Sequence, residues 1–280
     1  MSRILITGEN GFVGSNLAES LKTKHNIIFF PKTICSENIK DIQKIQSADI
    51  LIHCAAKTNI VKSWENYDDL IQSNIESTKL MIDYCIEKNA SLLFISSYLY
   101  GNTKILPTPE TEKLEANNPY ALSKKICEEL CIFYKENYGL KVTIIRPFNI
   151  YGYSEKKHCL IMSIINQIRS SNKIIVNDLK PKRDLIYIKD FCDLVTRVVD
   201  KQIYNEVFNA GSGTSYSISD TINIIQSIFQ KKFEIEVSKI KRKNEIFETK
   251  ADMTKVKELL AWEPNWQLVD GVKDILDILR

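Results

Sequence analysis

The chain opens on a short apolar run, Ile4-Leu5-Ile6, and similar runs return at Ile27–Phe30, Asp49–His53, Leu92–Ser96 and Val142–Arg146. They are continuous rather than alternating, the pattern of strands buried on both faces. Between them, apolar positions recur at helical spacing over Phe12–Lys22, Ser73–Glu87 and Tyr120–Asn137. Strand and helix therefore alternate, which predicts an α/β chain built on a doubly wound parallel sheet. Ligands of such sheets bind beyond the carboxyl ends of the strands.

After Gly152 the pattern loosens. A helix is predicted at Leu160–Arg169, a short strand at Ile174–Val176 and an irregular Pro/Lys stretch at Lys180–Arg183. Further elements fall at Glu206–Asn209 and Ser219–Phe229, with a last helical segment at Met253–Ala261. The expected organisation is a first domain over 1–152, joined by returning strands near 184–210. A smaller substrate-facing lobe would be formed by 153–183 and 211–280. No internal repeat or low-complexity tract interrupts this.

Composition narrows the function classes. At 280 residues and 44% hydrophobic, the chain can bury a core without disulfides or metal. Its 38 basic and 35 acidic residues nearly cancel and form no basic stripe, so a nucleic-acid partner is not expected. The apolar runs are too short to span a bilayer, so no membrane partner is expected. The first strand begins so early that no signal peptide fits ahead of it, and a cytoplasmic setting is expected. Seven cysteines without a CxxC pair, and three scattered histidines, point away from a metal site. Cys127 and Cys131, one helical turn apart, read as buried reduced thiols.

Glycine is the first clue to chemistry. Three of only nine glycines fall at Gly8, Gly11 and Gly14, between the first strand and the first helix. There they allow a tight turn and close approach of backbone N–H groups to a pyrophosphate at the helix amino terminus. The alternative is a loop that merely needs positive φ. An acid that would hold an adenosine ribose is missing where the second strand ends, Phe29-Phe30-Pro31-Lys32. Lys32 stands where a 2′-phosphate would lie, which favours NADPH over NADH, unless it is simply a solvated surface lysine.

Tyr120 and Lys124 stand four residues apart on one helix face. A neighbouring ammonium, together with a positively charged oxidised nicotinamide, is expected to lower the phenol's pKa from its free value of about 10. Ser96, closing the fourth strand, would face the ligand crevice and orient a substrate oxygen. YxxxK alone is commonplace; joined to Ser96 and the glycine loop it reads as a hydride-transfer triad.

These segments together resemble the extended short-chain dehydrogenase/reductase superfamily, in its nucleotide-sugar epimerase/dehydratase/reductase branch, over nearly the whole chain. TGENGFVGSNL, with GxxGxxG spacing, looks like the cofactor loop, and ILIHCAA like the third-strand segment that lines the dinucleotide. SNIESTK, FISSYLYG, NPYALSKKICEEL, RPFNIYG, RDLIYIKD, FNAGSG and ADMTKVKELLAWEPNW match further landmarks in order. The resemblance implies a Rossmann sheet. It implies cofactor contacts at Gly8, Gly11, Phe12, Val13, Gly14, Lys32, Asp41, Ile42, Ala55, Ala56, Asn74, Tyr120, Lys124 and Pro147. Tyr120 is then the acid/base, Lys124 its partner and Ser96 the catalytic hydroxyl. Ser97, Asn149, Arg183, Arg242 and Glu245 are the implied contacts to a nucleotide-diphosphate sugar, the two arginines on the diphosphate and Glu245 on the ribose. A homodimer through the Ser73–Glu87 and Tyr120–Asn137 helices is implied as well, with Ile126, Leu130 and Phe133 offering apolar surface.

Departures from the branch select among its reactions. The Asp-Glu pair of 4,6-dehydratases is replaced here by Ser97-Tyr98, so water loss lacks its acid and base. The Cys and His of 3,5-epimerase/4-reductases are replaced by Tyr98 and Ser154. Hydride chemistry at carbon 4 remains. It would belong to an NADPH-dependent 4-keto-sugar reductase or to an NAD-dependent 4-epimerase, and the missing ribose acid favours the reductase. A catalytically silent dinucleotide sensor would be expected to lack Tyr120 or Lys124.

Overall fold

In the computed structural model, which describes residues 1–29, 46–154, 159–238 and 244–280, the apolar runs become strands. β1 (Arg3–Thr7) is buried beyond its first residue and leads through the glycine turn into α1 (Phe12–Leu21). β2 (Asn26–Phe29) and β3 (Ile50–His53) follow. A π-helical turn at Ile71–Glu76 runs directly into α2 (Ser77–Lys88). Then come β4 (Ser91–Ile95), α3 (Pro119–Tyr138) and β5 (Val142–Pro147). Every residue of β3, β4 and β5 is buried, as unbroken Ile/Leu/Val runs require.

The remaining elements are β6 (Asn149–Tyr151), α4 (Leu160–Ser171), β7 (Lys173–Val176), β8 (Lys182–Tyr187) and α5 (Ile188–Asp200). They are followed by β9 (Val207–Ala210), β10 (Ser215–Ser217), α6 (Ile218–Phe229), β11 (Glu234–Val237), α7 (Thr254–Leu260) and α8 (Leu268–Ile278). Two features correct the sequence reading. The stretch expected to be irregular enters β8 at Lys182, because pairing with β10 supplies what its polar first half does not. Helices α5 and α8 were not expected, although α8 buries Leu268, Gly271, Val272 and Ile275 at helical spacing.

The main sheet has the order β2-β1-β3-β4-β5-β9, and its first five strands run parallel. The chain therefore turns one way from β1 to β2 and the other way from β3 onward. This switch between β1 and β3 opens a crevice at their carboxyl ends. The glycine turn leaves one of these strands and Cys54-Ala55-Ala56 leaves the other. Leu5, Leu51, Leu92, Phe94 and Ile144 pack with Met81, Cys85, Cys127 and Cys131 in a core beneath the sheet.

Two compact units emerge, one of 1–101, 113–147 and 192–208, the other of 102–112, 148–191 and 209–280. Within the second, β10-β8-β6 and β11-β7 form small sheets and α8 packs on α6. Its aromatic core includes Tyr151 against Tyr187 and Tyr187 against Trp266. Among the described residues, no helix is long and apolar enough to cross a membrane, and no group of His, Cys, Asp and Glu is arranged for a metal ion.

Candidate active site

The glycine turn is shaped by two close approaches. Gly8 has φ +75°, and a β-carbon on it would lie 2.8 Å from the Ala55 nitrogen. A β-carbon on Gly14 would meet the Gly8 carbonyl oxygen at 2.2 Å, so only glycine lets α1 start against the turn. Gly11 N–H donates to Gly8 O at 2.9 Å, and Gly11 itself caps α1 without a side chain. The first-turn amides of α1, which carries Phe12 and Val13, are thus left for an anion. This backbone cradle fits the diphosphate of a dinucleotide. Lys32, Asp41 and Ile42 lie outside the described residues.

Register places Thr7 beside His53 at the ends of β1 and β3. Thr78 Oγ1 donates to Asn74 O at 2.6 Å, so toward His53 Nε2, 3.2 Å away, it is an acceptor. His53 Nδ1 then accepts from Thr7 Oγ1 at 2.7 Å, while Thr7 Oγ1 accepts Ala55 N–H at 3.2 Å. The imidazole is neutral, with its proton on Nε2. Burial, with the Lys124 charge added, pushes its pKa down to about 3. Ala56 follows Ala55 at the same crevice edge and is half-buried.

Asn74 sits buried in the π-helical turn. Its Oδ1 accepts Lys57 N–H at 2.8 Å, and its Nδ2 donates to Lys57 O at 3.2 Å and to Ser123 Oγ at 3.0 Å. Ser123 Oγ in turn donates to Tyr120 O at 2.8 Å. Asn74 thus ties the strand-exit loop to the first turn of α3, a role the sequence pattern could not reveal.

α3 starts with Asn118, whose side chain accepts Ala121 N–H at 2.9 Å, followed by Pro119 at its first position. That cap fixes the turn bearing Tyr120. The half-buried Tyr120 has Ser97 as a polar neighbour. Burial raises its pKa, outweighing the lowering by Ser97, so the phenol keeps its proton. The buried Lys124 ammonium donates to Ile95 O at 2.6 Å and lies 4.0 Å from the centre of the Phe94 ring. Burial also lowers the Lys124 pKa, against the nearby Cys127, Cys54 and Glu128.

Ser96 departs from its expected place. Its hydroxyl donates to the buried Glu128 carboxylate, away from Tyr120. Ser97, the next residue, is the one that neighbours Tyr120. Glu128 and its partner Arg146 were not anticipated, although Tyr120, Lys124 and Glu128 recur every four residues on one helix face. Pro147 closes β5 and is buried.

In the second unit Asn149 Nδ2 donates to Asp184 O at 3.0 Å and to Thr249 Oγ1 at 3.3 Å. Arg183 pairs through Nη2 with Glu245 and donates through Nη1 to Ile246 O at 2.7 Å and Lys182 O at 2.9 Å. Two expected diphosphate and ribose contacts are therefore brought together, while Arg242 lies outside the described residues. Asp184 accepts N–H groups of Ser212, Gly213 and Ala251, ordering the loop of the FNAGSG segment.

Comparison with known proteins converges on one group. A UDP-glucuronate 4-epimerase of Thermodesulfobacterium geofontis is 31% identical over 261 residues, covering 90% of this chain and 79% of its own. A GDP-6-deoxy-D-mannose reductase of Pseudomonas aeruginosa is 25% identical over 292 residues, covering 98% and 96%. The solved structure of RMD from Pseudomonas aeruginosa complexed with NADPH superposes with a TM-score of 0.91 at 24% identity, covering 99% and 98%. The family profile matches residues 4–211. With its parallel sheet and glycine cradle, the chain belongs to the NAD dependent epimerase/dehydratase family.

Proposed function

We propose that the protein is an NADPH-dependent reductase of nucleotide-diphosphate 4-keto sugars, acting at carbon 4. Membership of the family supports a nicotinamide-using nucleotide-sugar enzyme. The observation that carries hydride transfer is Tyr120 one turn from Lys124 on α3 and beside Ser97, a phenol whose pKa burial raises. A protonated phenol suits the donor that completes reduction of a ketone. A bound nicotinamide would supply the hydride. Tyr120 would give its proton to the alcohol oxygen being formed, with the Ser97 hydroxyl orienting that oxygen. Lys124 would hold positive charge beneath both and reach the cofactor ribose. Ser97 thereby takes the role first expected of Ser96.

Dehydration is disfavoured because, with Ser97 as the hydroxyl, the next two residues are Tyr98-Leu99 and supply no carboxylate, and the Tyr98 hydroxyl donates to Gly101 O at 2.8 Å. The preference for NADPH rests on the missing acid after β2 and on Lys32. Arg183, Glu245, Asn149 and Arg242 would bind the nucleotide and diphosphate. A second reading, an NAD-dependent 4-epimerase, is favoured by the 31% identical relative named for that activity. We place the enzyme in the cytoplasm as a homodimer joined through α2 and α3. Their exposed Ile86, Leu122, Phe133 and Tyr138 support that seam.

The test is purification followed by assays of NADPH and NADH oxidation with UDP-, dTDP- and GDP-linked 4-keto-6-deoxy sugars. NADPH consumption abolished by Tyr120→Phe, with cofactor binding retained, is the expected result. Retained stoichiometric NAD and interconversion of UDP-sugars without NADPH consumption would establish the epimerase instead. A Tyr120→Phe variant indistinguishable from wild type would point to a sensor.

A further inference from the structure

At the end of β4, three consecutive residues meet three residues of α3 spaced by four. Ile95 O accepts from Lys124, Ser96 Oγ donates to Glu128, and Ser97 is a polar neighbour of Tyr120. The middle contact differs from the other two because it is built on a buried ion pair. Glu128 is fully buried and Arg146, on β5, is 5% exposed. Arg146 Nε lies 3.1 Å from both Glu128 oxygens and Nη2 lies 2.7 Å from Oε2. Nη1 donates to the Tyr100 hydroxyl at 3.0 Å. The guanidinium fork thus holds the carboxylate against β4 at a set angle.

Such a pair is a poor device for stability alone, since desolvation offsets most of its attraction and apolar side chains of similar volume pack as well. What an apolar pair cannot do is accept the Ser96 hydroxyl. Ser96 is fixed twice, its N–H on Ile145 O at 2.8 Å and its hydroxyl on Glu128. Ser97 follows directly, so fixing Ser96 at both its N–H and its hydroxyl fixes the backbone from which the Ser97 hydroxyl extends.

We propose that Ser96 and Glu128, held by Arg146, are positioning residues that set the Ser97 hydroxyl against Tyr120 and keep the end of β4 in step with the catalytic helix. This rests on the functional reading above, in which Ser97 and Tyr120 face the substrate. A misplaced proton donor slows the chemical step far more than it weakens binding.

Crystal structures of Ser96→Ala and Glu128→Gln test the geometry whatever the substrate. The Ser97 hydroxyl should be displaced from the Tyr120 phenol in both, relative to the wild-type crystal structure; if both variants keep the wild-type placement, the inference is overturned. Kinetics with NADPH and the 4-keto-6-deoxy sugar nucleotides give the second readout. Ser96→Ala should lower kcat about tenfold or more, with KM and the NADPH Kd changed less than about threefold. Ser96→Thr, which keeps the hydroxyl, should recover most of that loss. A purely structural role would lower Tm and leave kcat per folded molecule unchanged, which also overturns the inference. A wild-type protein inactive on every sugar would defeat the functional reading, and the two variant crystal structures would still decide the geometry.

Discussion

His53 accepts the Thr7 hydroxyl proton through Nδ1 at 2.7 Å, and that contact requires a neutral ring. A proton arriving at Nδ1 would face the Thr7 proton already there. His53 therefore makes this side-chain link between the ends of β1 and β3 only while uncharged.

Acid should loosen this contact. In the unfolded chain His53 takes up its proton near pH 6.5, whereas in the folded protein it resists until about pH 3. Its contribution is therefore complete above pH 6.5 and is lost as pH falls toward 3, by up to about 1.4 kcal/mol per pH unit. Urea unfolding at three pH values between 7 and 5 should show wild-type stability falling more steeply than that of His53→Gln. Parallel slopes would show that His53 does not carry the effect.

The glycine turn has no room for a side chain at position 14. Gly14→Ala places a β-carbon 2.2 Å from Gly8 O, so the turn or the start of α1 must move. We expect a stability loss of about 1–3 kcal/mol and at least a tenfold weaker dinucleotide affinity. Nucleotide fluorescence titration and thermal melts measure both.

Removal of the α3 cap should reach the chemistry two residues later. Asn118→Ala deletes the acceptor for Ala121 N–H and should cost about 1 kcal/mol. Because Tyr120 stands in that first turn, kcat should fall while the cofactor Kd changes little. A fall in Tm with unchanged kcat would separate the cap from the site.

Arg183, paired with Glu245, should govern nucleotide affinity rather than cofactor affinity. Arg183→Ala should weaken UDP or GDP binding about tenfold or more in calorimetry and leave NADPH binding as in wild type. Arg183→Lys should restore little, since an ammonium lacks the planar fork.

The order of elements through β5 and the glycine turn could be read directly from sequence, because continuous apolar runs and clustered glycines are local signals. So could the spacing of Tyr120 and Lys124 on one helix face, which follows from 3.6 residues per turn. The polar start of the strand at Lys182–Tyr187 was hidden, because Lys182–Asp184 join the strand through pairing with β10. The choice between Ser96 and Ser97 was hidden for a different reason. Two adjacent hydroxyls look alike in sequence, and which one faces Tyr120 depends on a carboxylate thirty-two residues away taking the other. The protonation of Tyr120, Lys124 and His53 likewise required the fold, because burial and partners drawn from distant segments set it. Sequence alone determined which chemical groups are present and at what helical spacing. Tertiary packing decided which of them meet, because those contacts join residues that no local periodicity relates.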